Sequence, residues 1–334
     1  MKKINVAVIG LGVGIHHLNF FLRNKRCNLV AVYDFDKKKT SILKKTYKKI
    51  NFVQNENKII FNNKIQLVCI SSYDNFHARQ IIKCVKNNKH IFVEKPLCLN
   101  YKEYFQIKKI LQRKPRINLS SNFVLRNSPQ FKFLEKEIKK KLFGKIYNIS
   151  GEYNYGRLQK LTKGWRAKIP FYSVMMGGGI HIIDLAIFLK KQRLKSVFAT
   201  GNKIITKNSK FKYYDLVSSL LKFDDDTILS VSANFGCVMP HHHRFSVYGS
   251  KKTFIQNYKD IRILKSRSEN KKIEKVKYKY TNLQKTKILS SFVNQLIHKN
   301  KKSIVTKKEV LDSTAVCLAI NSSLKSKKWE KIIY

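Results

Sequence analysis

Four clusters in this 334-residue chain combine residue types and spacings that could do chemistry. The first is Glu94-Lys95-Pro96, which follows the apolar run His90-Ile91-Phe92-Val93. A buried strand that stops on a carboxylate, an amine and a proline places charge at a strand's carboxyl end. Open α/β sheets bind ligands there. Proline fixes φ and cannot continue the ladder, so Pro96 would lock the backbone that aims Lys95. The second cluster is Gly177-Gly178-Gly179-Ile180-His181-x-x-Asp184. An imidazole suits proton exchange near neutral pH, which makes His181 a candidate general acid or base. An ammonium such as that of Lys95 would stabilise a developing alkoxide. Asp184, three residues on and on the same helix face, would orient the imidazole or bind a substrate hydroxyl.

The third cluster is Gly10-x-Gly12-x-Gly14, between the strand-like Ile4–Ile9 and a helical stretch. In that context glycines let backbone approach a pyrophosphate at a helix N-terminus. The position five after Gly10 is Ile15, so Gly14 would serve through a turn one residue shorter. Asp34 closes the next apolar run and would either supply an acceptor for ribose hydroxyls or cap the helix that follows. Together these point to NAD; NADP is the alternative if Lys37 to Lys39 take a 2′-phosphate. The fourth cluster is Gly164-Trp165-Arg166, with Tyr172 and Ser173 shortly after. Trp165 or Tyr172 could stack on a sugar and Arg166 clamp an anion, or they could serve as core anchors and surface charge. His241-His242-His243-Arg244 has the look of a metal tract. Neighbours on a strand point to opposite faces, however, and no carboxylate or Cys stands at ligand spacing, so no metal is expected.

The elements that must position these residues follow from periodicity. Strand-like runs at 4–9, 28–33, 65–70, 90–93 and 117–124 alternate with helical patterns at 15–22, 37–49, 75–88 and 101–112, which predicts a doubly wound parallel sheet. Beyond residue 120 a helix over 128–142 leads to strands at 146–155, 196–203, 214–223, 228–235, 244–248 and 253–257. Asp224-Asp225-Asp226-Thr227 marks a hairpin between two of these. Helices are expected at 180–189, about 284–298 and 307–324. The fold class is thus α/β: an N-terminal Rossmann domain (1–121) and a C-terminal α/β domain (122–334) with an open, mainly antiparallel sheet for substrate binding and oligomerisation. The C-terminal helix is expected to pack back on the first domain.

In order and spacing, Gly10–His17, Asp34, Ser72–His77, Glu94-Lys95-Pro96 and Gly177–Asp184 resemble the Gfo/Idh/MocA oxidoreductases over nearly the whole chain. The resemblance implies a nicotinamide cofactor and a sugar, cyclitol or sugar-nucleotide substrate, with a setting in carbohydrate or surface-polysaccharide precursor metabolism. It implies cofactor contacts from Gly10, Gly12, Gly14, Ile15, Asp34, Ser72, His77, Glu94, Lys95 and Pro96. Lys95 and His181 would be catalytic, and the Lys-Pro bond cis. It also implies a homo-oligomer, dimer or tetramer. The chain departs from the family where Gly177 stands in place of an Asp four residues before the His, and where Ser72-Tyr73-Asp74 replaces Thr-Pro-Asn. Those departures keep open a rival: a non-catalytic NAD(P)-binding sensor or regulator.

Composition bounds the rest. The net charge of +49 comes from 69 basic residues, only 12 of them Arg, spread along the chain. Dedicated nucleic-acid binders cluster charge or use Arg forks, so no specific nucleic-acid partner is expected. No run of about 18 apolar residues suggests membrane insertion. Six scattered cysteines suit a reducing compartment, and a cytoplasmic location is expected.

Overall fold

The computed structural model describes residues 3–258, 260–268, 273–276, 286–298 and 300–334. The chain divides into two units: Met1–Asn122 with Lys285–Leu311, and Phe123–Gln284 with Asp312–Tyr334.

The first unit alternates strand and helix: β1 (Ile4–Ile9), α1 (Gly14–Arg23), β2 (Cys27–Tyr33), α2 (Lys37–Thr46), α3 (Asn57–Ile60), β3 (Leu67–Ile70), α4 (Asp74–Lys86), β4 (His90–Val93), α5 (Tyr101–Arg113) and β5 (Leu119–Ser121). The five strands run parallel in the order β2-β1-β3-β4-β5. All four residues of β3 are buried, as expected of a strand covered on both faces by helices. The order reverses between β1 and β3, which puts the ligand-binding crevice of such sheets beyond their carboxyl ends. Several predicted elements are shorter at their ends, two of this unit most of all. The helix expected over 37–49 stops at Thr46: α2 buries no side chain, so nothing holds its Lys-rich end helical. The strand expected over 117–124 is only β5, because Asn122 turns inward to Glu94 and a 3₁₀ turn begins at Val124.

The second unit opens with α6 (Pro129–Lys139), β6 (Ile146–Asn154), α7 (Gln159–Thr162), a π-helical turn (Met175–Gly179) and α8 (Ile180–Lys190). There follow β7 (Leu194–Asn202), β8 (Leu216–Phe223), β9 (Ile228–Asn234), β10 (His242–Gly249), β11 (Thr253–Gln256), β12 (Ile261–Leu264) and β13 (Glu274–Lys275). Helix α9 (Lys287–Ile297) lies in the first unit, α10 (Lys307–Ser326) begins there and ends in the second, and β14 (Glu330–Lys331) closes the chain. The start of the helix expected at 284–298 falls outside the described residues. The nine strands form one sheet in the order β13-β12-β11-β10-β6-β9-β8-β7-β14, antiparallel except for β6 beside β9. Asp226 takes φ +63° in the β8–β9 hairpin, a conformation Asp tolerates.

Helix α8 is apolar nearly all round and buried from Ile180 to Ile187, the pattern of a helix enclosed by its own unit. A Cβ on Gly151 of β6 would fall 2.3 Å from Ile182, so the glycine lets α8 lie close on the sheet. Each of its enclosed isoleucines contributes roughly 1.5–3 kcal/mol by leaving water. That packing is what fixes His181.

Candidate active site

In the first unit the three glycines have three tasks. Gly10 has φ +88°, and a Cβ there would meet the Ser71 backbone at 2.4 Å, so only glycine fits the turn. A Cβ on Gly14 would touch Ser71 Cβ at 3.0 Å and Val8 at 3.3 Å; this is the close packing of α1 on the sheet. Gly12 meets nothing within 4 Å, so its bare backbone faces open space at the head of α1. The first N–H groups of a helix lack internal partners and favour an anion. Gly14, not the half-buried Ile15, therefore does the helix-packing work of a third glycine. Asp34 is held at the same turn. Its Oδ2 accepts from Leu11 N (2.6 Å) and Lys39 Nζ (3.2 Å), and its Oδ1 from Asp36 N (2.9 Å). A carboxylate so placed suits ribose hydroxyls and opposes a 2′-phosphate. These residues fit NAD.

The loop after β4 is fastened on both sides of Lys95. The Lys95–Pro96 peptide is cis. The two ring nitrogens of buried His77 face carbonyl oxygens, Nδ1 that of Pro96 (2.7 Å) and Nε2 that of Ser72 (3.1 Å), which ties the loops after β3 and β4 together. Ser72 Oγ donates to Gln80 (2.6 Å). On the other side, Glu94 Oε1 accepts from His17 Nε2 (2.7 Å) and Asn122 Nδ2 (2.9 Å). Burial pushes the Glu94 carboxyl up, but the hydrogen bond and charge of His17, the Asn122 amide and the charge of Lys95 outweigh it and bring it down to about 2. Glu94 is thus a buried anion that anchors the loop, and Lys95 stands half-buried between two fixed neighbours. Nothing in the sequence pairs His17 or Asn122 with Glu94, since the three are far apart in the chain.

In the second unit His181 sits just after the π-helical turn, a local widening of the helix often found at functional sites. Its ring stacks on Tyr153 (centroids 6.1 Å, 24°) and lies edge-on to Phe123 (6.4 Å) and His243 (6.3 Å). His241 and His243 lie 4.8 Å apart and both pack on Tyr153, whereas His242 turns to Tyr258. The alternation is that expected of a strand, and it brings two histidines to the His181 side. Among the described residues no three His, Cys, Asp or Glu are grouped to hold a metal ion. The glycine run makes room for rings: a Cβ on Gly178 would meet Tyr153 at 2.4 Å, and one on Gly177 the Tyr172 hydroxyl. Arg166 Nε donates to that hydroxyl (2.9 Å) with its guanidinium 4.6 Å over half-buried Trp165. The fourth cluster is therefore one connected unit.

Asp184 has a different task from the substrate contact expected of it. It is fully buried; Oδ2 accepts from Arg126 Nε (2.8 Å) and Oδ1 from Arg126 Nη2 (2.6 Å) and Ser313 Oγ (3.3 Å). Arg126 is equally buried and lies over Phe188. With both oxygens held by a guanidinium fork, Asp184 anchors α8 from within. The only sequence signal for this partner is an Arg that directly follows the apolar stretch Phe123-Val124-Leu125.

Comparison with known proteins fits this geometry. The family model described as the oxidoreductase family with NAD-binding Rossmann fold matches residues 4–123, and that of the GFO/IDH/MocA C-terminal domain matches 131–255. The chain is 23% identical over 272 residues to the myo-inositol 2-dehydrogenase of Thermotoga maritima, covering 78% of each. Its fold is similar to that of myo-inositol 2-dehydrogenase from Lactobacillus plantarum (TM-score 0.84, 19% identity, 99% of this chain and 100% of that one). It is similar too to scyllo-inositol dehydrogenase from Lactobacillus casei, solved with NAD(H) and scyllo-inositol (TM-score 0.80, 18% identity, 99% of each).

Proposed function

Because the chain belongs to the Gfo/Idh/MocA family of NAD-binding oxidoreductases, we propose that it interconverts a secondary hydroxyl and a ketone on a cyclitol, a sugar or a sugar nucleotide. The setting proposed is carbohydrate or surface-polysaccharide precursor metabolism. The observation that carries the reading is the fastened loop after β4. Buried Glu94, held by His17 and Asn122, and the Pro96 carbonyl, held by His77, fasten the backbone on both sides of Lys95 at the carboxyl end of a dinucleotide-type sheet. Such preorganisation is what stabilisation of a developing charge requires. When bound, NAD supplies the hydride acceptor. His181 takes the hydroxyl proton in oxidation and returns it in reduction. Lys95 places positive charge beside the alkoxide as it forms. Aromatic rings around His181 suit the apolar faces of a polyol ring. Asp34 supports the choice of NAD over NADP.

The test is a panel of cyclitols, sugars and nucleotide sugars, with NAD and with NADP, followed by reduced-nicotinamide absorbance. Turnover with at least one cyclitol or sugar, faster with NAD, is the expected result. Gly177 favours a second reading, an NAD-binding sensor without turnover, since that position offers no carboxylate to a relay. Tight NAD binding with no turnover across the panel would decide for the sensor.

A further inference from the structure

Residue 177 stands one helical turn before His181 and on the same face, where a side chain would point with the imidazole. Gly177 offers none. Its backbone is in place, with Gly177 N donating to Ser173 O (2.8 Å), but a Cβ built there would fall 2.0 Å from Tyr172 Oη and 2.6 Å from its Cζ. The phenol therefore fills the volume that a residue-177 side chain would need. Its position is fixed. The ring is 2% exposed and packs edge-on against Trp165 (6.0 Å), Phe211 (5.9 Å) and Phe235 (6.2 Å). Arg166 Nε donates to Oη at 2.9 Å. A cationic donor on that oxygen orients the phenol and strengthens its O–H as a donor, since chained hydrogen bonds polarise one another.

We propose that Tyr172, held by Arg166, is a further catalytic residue: its hydroxyl donates to the reacting oxygen of the substrate. This rests on the dehydrogenase reading above. In oxidation the C–H bond breaks and its hydride passes to NAD, the O–H bond breaks and its proton passes to His181, and the C=O bond forms. No bond to Tyr172 is made or broken. Its O–H lies against the oxygen while negative charge is greatest there. Glycine at 177 is then the condition for this arrangement, because any larger residue would displace the phenol.

The experiment compares wild type, Tyr172→Phe, Arg166→Met, Tyr172→Ala and the double variant Tyr172→Ala/Gly177→Asp on the best polyol of the panel. Tyr172→Phe keeps the ring, so melting temperature and NAD affinity should hold while kcat falls by about 10²-fold, the usual loss for one oxyanion donor. Arg166→Met should lose roughly tenfold in kcat, the scale of one hydrogen bond from a charged donor. The double variant should regain at least about tenfold over Tyr172→Ala, since a carboxylate can then enter the vacated volume. Wild-type turnover with Tyr172→Phe at unchanged kcat and pH profile would overturn the inference and leave the dehydrogenase reading standing. Absence of wild-type turnover on the whole panel would remove both.

Discussion

Asp184→Ala separates an internal anchor from a substrate ligand. The Asp184 carboxylate and the Arg126 guanidinium are both fully buried and joined by two hydrogen bonds of 2.6 and 2.8 Å. Breaking this buried pair by removing the carboxylate costs about 3–5 kcal/mol. The lost Ser313 hydrogen bond (3.3 Å) adds roughly 1 kcal/mol. At about 2–4 °C per kcal/mol for a domain of this size, the thermal transition should fall by about 10 °C or more. Replacing both residues, Arg126→Met with Asp184→Leu, removes this buried pair as a unit and should recover most of that loss, to within about 2 kcal/mol of wild type. Thermal melting followed by circular dichroism, with KM for the polyol measured alongside, decides the matter. An Asp184→Ala variant that melts within about 2 °C of wild type, equivalent to no more than roughly 1 kcal/mol, but raises KM selectively would refute the anchor and restore a substrate role.

Two further outcomes follow from the first unit. The Glu94 carboxyl lies at about 2 in the folded chain against an ordinary 4.5. Its depressed value stabilises the fold fully above pH 4.5, and that contribution, roughly 3 kcal/mol, is lost as pH falls from there towards 2. Glu94→Gln should flatten the acid limb of the stability curve; an unchanged limb would show that Glu94 is not its source. Gly10→Ala forces φ +88° on a side chain and a 2.4 Å contact with the Ser71 backbone, so it should destabilise by at least about 1–3 kcal/mol. Gly12→Ala meets nothing within 4 Å and should leave melting unchanged while weakening NAD binding about tenfold or more, because backbone can no longer approach the pyrophosphate. Calorimetric titration with NAD checks this, and unaltered affinity in Gly12→Ala would count against the cofactor site.

Local patterns made much of the fold legible. Continuous apolar runs such as Leu67–Ile70 announced the strands of the parallel sheet, because burial on both faces leaves no room for polar alternation. Alternation announced the second sheet, and put His241 and His243 on one side with His242 on the other. What escaped depends on contacts between residues distant in sequence. The buried fork of Arg126 on Asp184 joins residues 58 positions apart, and His17 reaches Glu94 across 77. Nothing in the local pattern says that the hydrogen atoms of the triple glycine make room for Tyr172, Tyr153 and Met175. The widened turn at Met175–Gly179 has no compositional signature of its own. A charged residue at the end of an apolar run, as at Arg126, does not say where its partner lies.

The proposed reaction is hydride transfer from a polyol carbon to NAD, with Lys95 and His181 handling charge and proton. It is tested most directly with a cyclitol deuterated at the carbinol carbon, incubated with NAD, the reduced nicotinamide then being analysed by mass spectrometry. Deuterium should appear in the nicotinamide ring with wild type, and its rate of appearance should fall by at least about 10²-fold with Lys95→Ala or His181→Ala. Label that stays on the polyol with wild type, or transfer that proceeds unimpaired in both variants, would contradict it.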